Sequence, residues 1–207
     1  KEVASLYKKS SINLLLISGL FFVLINTNIS QLFSLLPQEY AGGALVVFMI
    51  SLLKMYNGFL GNNGAIINNS KFYKITLPVS LIMAFSVYFL NKLFYYELDM
   101  GTDGLALATL IVIFFANTFK LFFVKKKFSI TPFTDKSFTM ILIIAVLFLS
   151  FNFWDFPLSE IYLFKFPIHP IINMILKSIL ISIIYLFLVI KLNISKEITG
   201  LFKRFYK

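Results

Sequence analysis

Cysteine is absent from the 207 residues, histidine occurs once, arginine occurs once, and acidic residues number 9 against 19 basic ones. Without cysteine there is no disulfide framework and no thiolate metal site. His169 stands alone before Pro170, with no partner at metal-ligand spacing, so it reads as packing at an interface. Aspartate and glutamate are missing from the middle of every long apolar run. That removes the usual general acid or base of intramembrane chemistry, and the in-span carboxylate with which many transporters bind a proton or sodium ion. Neither catalysis nor a cofactor is expected.

What the chain has in quantity is apolar surface: 59% of residues are hydrophobic, only 14% are charged, and the mean hydropathy is +0.87. Too little polar surface remains to cover a water-soluble fold. A helical crossing of bilayer hydrocarbon takes roughly 20 apolar residues. Stretches that meet this need lie near Ile12–Leu36, Gly42–Ala65, Ile75–Tyr95, Asp103–Val124, Phe138–Trp154 and Pro170–Leu192. The expectation is an all-α polytopic membrane protein, a single six-transmembrane-helix bundle over residues 1–207.

Charge fixes its orientation. Apart from Lys54 and Lys177, which fall inside apolar stretches, and Lys92 and Lys165, every basic residue belongs to the N-terminus, the second or fourth connection, or the C-terminal tail. An even number of crossings puts those four segments on one face, and lysine-rich short loops mark the cytoplasmic side. Both ends are therefore expected in the cytoplasm. The net charge of +10 suits anionic headgroups, with Lys125–Lys127 and Lys203–Lys207 against that leaflet. No polar domain is present to carry a nucleic-acid site. The chain opens on Lys1, in the manner of a loop, and is expected to be a piece of a longer protein with an N-terminal lobe before it.

Local signals divide the spans. Pro37 stops the first helix, Pro78 sits in the opening turn of the third or kinks it, Asp103 caps the fourth, and Thr134 or Asp135 caps the fifth. The helical phase of the second span continues through Ile66–Ser70. Between the last two spans, Asp155–His169 is rich in aromatics, and Trp154, Phe156, Tyr162 and Phe164 suit an interfacial belt. A short helix in the headgroup plane is expected there.

Cations and amides inside lipid are the candidates for function. An ammonium near the bilayer centre costs on the order of 2.5–3.5 kcal/mol on insertion scales, so Lys54 must face protein, water or an anionic ligand. Lys54, Gly58, Gly61 and Ala65 share one helical stripe, which is either a tight crossing with a lysine at its margin or a ligand site. Lys177, four residues after Asn173, either snorkels outward along its stem or serves a ligand. Asn26, Thr27, Asn28, Ser30 and Gln31 on the first helix, and Asn117 and Thr118 on the fourth, either bond across helices or line a cavity.

Tyr7-Lys8-Lys9-Ser10-Ser11 leads into the first helix, and Tyr40-Ala41-Gly42-Gly43 turns the chain into a glycine- and asparagine-rich second helix ending near Ser70-Lys71-Phe72-Tyr73-Lys74. With the string Gly101-Thr102-Asp103-Gly104-Leu105-Ala106-Leu107-Ala108-Thr109, these resemble the C-terminal half of Wzx-type polysaccharide-biosynthesis (O-antigen) flippases. That superfamily also holds lipid II flippases and multidrug extrusion antiporters. The resemblance implies one lobe of a two-lobed, alternating-access transporter of the bacterial cytoplasmic membrane. Its partners would be the N-terminal lobe, membrane lipids, and an oligosaccharide linked to undecaprenyl pyrophosphate. Lys54 with Asn57 would meet the pyrophosphate, and Asn28 and Gln31 the sugar, assignments made on chemistry and not on a family motif. Related flippases often place several arginines in the cavity, whereas this chain has only Arg204. The alternatives are a membrane-embedded polysaccharide polymerase or acyltransferase, which would show an arginine-bearing outer loop or an intramembrane histidine, or an extrusion antiporter.

Overall fold

A computed structural model describes residues 2–159, 162–163 and 166–205. Eight α-helices carry the fold: α1 (Glu2–Ser34), α2 (Ala44–Leu60), α3 (Asn63–Asn68), α4 (Thr76–Asn91), α5 (Gly101–Phe128), α6 (Asp135–Asn152), α7 (His169–Lys191) and α8 (Lys196–Phe205). With its flanking turns Tyr73–Ile75 and Lys92–Glu97, α4 joins α1, α5, α6 and α7 as five helices long and apolar enough to cross a membrane. The remaining apolar helix, α2, has 17 residues, about 25 Å at 1.5 Å per residue.

α1 is the central helix, packed by α2, α6 and α7. Its Leu15, Leu16, Phe22 and Val23 meet Met140, Ile143, Ile144 and Leu147 of α6, and Ile181, Tyr185 and Val189 of α7, in one buried cluster. Close approach is built in at Gly19, where a Cβ would lie 2.2 Å from Ile144 Cδ1. α5 covers the far side of α2, and α4 lies outside α5 with no buried residue. In water an apolar helix with no buried side chain would be costly; in lipid it costs nothing, because tails are as apolar as leucine.

The two ends of the bundle differ in chemistry. At one end Tyr7 of α1, Ile67 of α3 and Val124 of α5 form a second buried cluster. There Lys9 pairs with Glu197 at 3.7 Å, and Lys136 Nζ donates to Leu192 O at 2.6 Å. The four lysine-rich segments therefore gather at that end, as the loop asymmetry requires. At the other end the last turns of α1, the residues after α6 and the start of α7 meet around Asp155.

The structure corrects several sequence expectations. α1 begins ten residues earlier than the apolar run, carried by the polar turn around Lys8 and Lys9. The second span is not one helix: Gly61 adopts φ +64, in the left-handed region open to glycine, and the chain re-enters as α3. Ser11 Oγ donates to the carbonyl of Phe59 at 2.7 Å, satisfying one acceptor in that terminal turn. Asp103 does not cap α5. It sits in the first turn, and Met100 occupies the cap position without a side-chain bond. Thr134 does cap α6, exchanging hydrogen bonds with Ser137 in a capping box. α1 ends at Ser34, just short of Pro37, and Pro78 occupies the first turn of α4.

The short helix expected within Asp155–His169 is absent from the described residues. Tyr162–Leu163 pairs antiparallel with Phe166–Pro167 in a minimal hairpin, β1 and β2. Pro157 and Pro167 lack the amide protons that a helix there would use, and aromatic residues favour extended backbone. Phe164 and Lys165, like Lys1 and Lys207, lie outside the described residues.

Candidate functional site

A groove of about 870 Å³ runs between α1 and α2 down to the break at Gly61 and Asn62. α1 can wall it because both of its faces are apolar. Leu15 and Leu16 turn inward to the cluster with α6 and α7, while Leu14, Ile17, Phe21 and Ile25 are exposed along the opposite stripe. Val46, Val47 and Ile50 of α2 face them. The floor is tight: a Cβ on Gly58 would lie 2.2 Å from Ser18 Oγ and 2.9 Å from the Leu14 carbonyl.

Polar groups are few and concentrated. Lys54 is exposed within the groove, one turn from Asn57 on the same face of α2, with Ser18, Ser51 and Asn62 nearby on the lining. No acidic side chain lines it. Asn57 Oδ1 accepts from Asn117 Nδ2 of α5 at 2.7 Å. Asn117 in turn accepts from Lys120 Nζ at 3.3 Å through Oδ1, and from Asn63 Nδ2 at 3.3 Å through its carbonyl. Next to this chain Tyr56 OH and Thr118 Oγ1 share a 2.5 Å bond. On the other wall Asn26 Nδ2 bonds Ser51 Oγ at 2.8 Å, linking α1 to α2.

Of the four residues singled out from sequence, Lys54 and Asn57 meet in the groove, and Asn28 and Gln31 do not join them. Asn28 is buried on the α7 side, where its Nδ2 donates to Leu24 O at 2.7 Å and Ser178 Oγ at 3.2 Å. Gln31 Nε2 donates to the carboxylate of Asp155. Asn26 and Asn28 thus bond across helices, the first of the two readings open for them, while Gln31 bonds the connection that follows α6. Of the small-residue stripe, Gly58 and Gly61 reach the groove with Lys54, and Ala65 does not. The break after Leu60 changes its phase.

Lys177 does not snorkel. It is 1% exposed, and its Nζ donates to the Thr27 carbonyl at 2.6 Å and to Asp155 Oδ1 at 2.9 Å. Burial of Asp155 alone would raise its pKa. Hydrogen bonds from Lys177 and Gln31, the Lys177 charge and a contribution from Asn173 outweigh it, and hold the carboxyl below the ordinary aspartate value. Asn173 Oδ1 also accepts from the Phe156 amide at 3.2 Å. The acid missing from every span arrives from a connection instead. The signal is present in the sequence: an ammonium two turns inside lipid needs a counter-charge, and Asp155 directly follows the preceding span.

Among the described residues no three His, Asp or Glu side chains gather to hold a metal ion. The arrangement offers two different cations. One is paired and buried at the acidic end of the bundle; the other is open to a groove without a counter-charge. Set against family models, curated proteins and solved structures, the chain finds no match in any of the three.

Proposed function

We propose that this chain is one lobe of an alternating-access transporter that moves polyprenyl-pyrophosphate-linked oligosaccharide across a bacterial cytoplasmic membrane. In this reading α2, with the 3-10 turn Gln38–Gly43 before it, is the sixth crossing, and the lysine-rich end of the bundle is cytoplasmic. The observation that carries it is Lys54, an exposed ammonium in a mostly apolar groove with no acidic side chain on its lining. Among the described residues no hydrogen bond or ion pair engages the Lys54 ammonium, so it stands ready for an external anion. The surroundings raise its value. Unit charges 4 Å apart attract by about 1 kcal/mol in water and about 4 kcal/mol at an effective dielectric of 20. Asn57 beside it adds a neutral hydrogen-bonding group, while Asn28 and Gln31 hold the far end of α1 in place.

The groove edge is where a second lobe would close, and the small residues Gly58 and Gly61 allow α1 and α2 to shift against each other without interlocking side chains. The test is complementation of surface polysaccharide by the full-length protein. Lys54→Ala should lower surface polymer at least tenfold with normal protein levels, and Lys54→Arg should retain most of it. Unchanged polymer in Lys54→Ala would refute the reading.

A further inference from the structure

We infer that Lys120 and Asn117 are positioning residues that fix Asn57 as a hydrogen-bond donor toward the groove, and so make the site selective for an oxyanion. This rests on the transport reading above and deepens it. An ammonium can only donate, so the Asn117 side-chain atom it meets at 3.3 Å is the carbonyl oxygen. The other end of that amide is then the NH₂ group, which donates to Asn57 Oδ1 at 2.7 Å. With its oxygen engaged by α5, Asn57 keeps its own NH₂, which bonds no other group among the described residues, and Asn57 lies on the groove lining.

The polarity of this chain runs one way, from Lys120 through Asn117 to Asn57. Its end adjoins Lys54, which also can only donate. Lys54 and the Asn57 NH₂ group are therefore two adjacent donors, a pair that suits phosphate oxygens and serves an amine poorly. That pair of donors favours an anionic lipid over the cationic compounds that an extrusion antiporter would take. Lys120 sits on α5, outside the groove lining, and acts through the two amides.

The experiment uses full-length protein in detergent micelles and two probes, a polyprenyl pyrophosphate and the matching neutral polyprenol. The readout is the ratio of their affinities. Asn117→Asp leaves an acceptor where the NH₂ group was, forcing Asn57 to turn its NH₂ toward α5 and its oxygen toward Lys54. The anionic preference should fall about tenfold. Lys120→Met should lower it about threefold, with Lys120→Arg restoring it. A new negative charge near the groove would also weaken anion binding directly, so Asn117→Asp is repeated in an Asn57→Ala background, where the relay predicts little further loss. If Lys54→Ala removes the preference while Asn117→Asp and Lys120→Met leave it unchanged, or if Asn117→Asp is equally damaging without Asn57, the relay is wrong and the site stands. If the unaltered protein shows no preference for the pyrophosphate, the transport reading fails and the relay falls with it.

Discussion

Lys54 and Lys177 have the same side chain, and both interrupt apolar helices, yet one is open to a groove and the other is 1% exposed. Their responses to substitution should differ accordingly. Asp155→Asn leaves a buried ammonium without its counter-charge, which typically costs 3–5 kcal/mol when both partners are buried. Because the Asp155 side chain is 53% exposed, a loss of about 1–2 kcal/mol is expected here. Lys177→Met removes the charge that required a partner and leaves Asp155 free to take up water. Its stability should lie within about 1 kcal/mol of the unaltered protein. Thermal melting in detergent ranks the two, and a Lys177→Met protein much weaker than Asp155→Asn would contradict the account.

The sign of the pH dependence follows from the depressed Asp155 pKa. A carboxyl that folding makes more acidic contributes its stability fully above the unfolded value and loses it as pH falls through the folded value. Melting temperatures of the unaltered protein and Asp155→Asn should therefore stay separated at neutral pH. They should converge below about pH 4, beneath the ordinary aspartate value near 3.9.

At the scale of elements, the α1–α2 crossing and the break after α2 depend on glycines for different reasons. Gly58 lies under Ser18 and the Leu14 backbone, so Gly58→Ala should separate the helices at a cost of about 1–3 kcal/mol, typical of overpacking. Gly64 of α3 has nothing within 4 Å of a built Cβ, and Gly64→Ala should be neutral or stabilising by about 0.4–1 kcal/mol through the unfolded chain. Paired melting curves of the two variants check the contrast. The glycine- and asparagine-rich character of this segment is plain in the sequence, and its apolar periodicity by itself predicts one continuous helix. Nothing local distinguishes a glycine that eases a helix crossing from one that ends a helix. At Gly61 the choice went to termination because Ser11, brought up by α1, offers its hydroxyl to the Phe59 carbonyl.

For the whole molecule, the contacts at the two ends give a topology that can be read chemically. These 207 residues hold no cysteine, so single cysteines placed here can be compared with the unaltered protein as the labelling background. With a membrane-impermeant maleimide on intact cells, Gly42→Cys should label from outside. Ser70→Cys and Lys126→Cys should label only after the membrane is opened. Labelling of Gly42→Cys and Ser70→Cys from the same side would mean that the 17-residue α2 does not cross. Such a result would reverse the parity of everything that follows it in the chain.

Composition and spacing by themselves determined that the protein is helical, that five of the six expected spans are helices of membrane length, where most of them start and stop, and that the basic segments share one end. Those properties arise from backbone satisfaction in lipid, hydrocarbon thickness and the cost of charge, all written locally in the chain. Only the tertiary structure decided which polar groups meet. Asp155 and Lys177 are 22 residues apart, Asn57 and Asn117 are 60 apart, and Asn28 and Ser178 are 150 apart. An amide on a helix shows only that it needs a partner, and packing chooses whether that partner is another helix or a ligand.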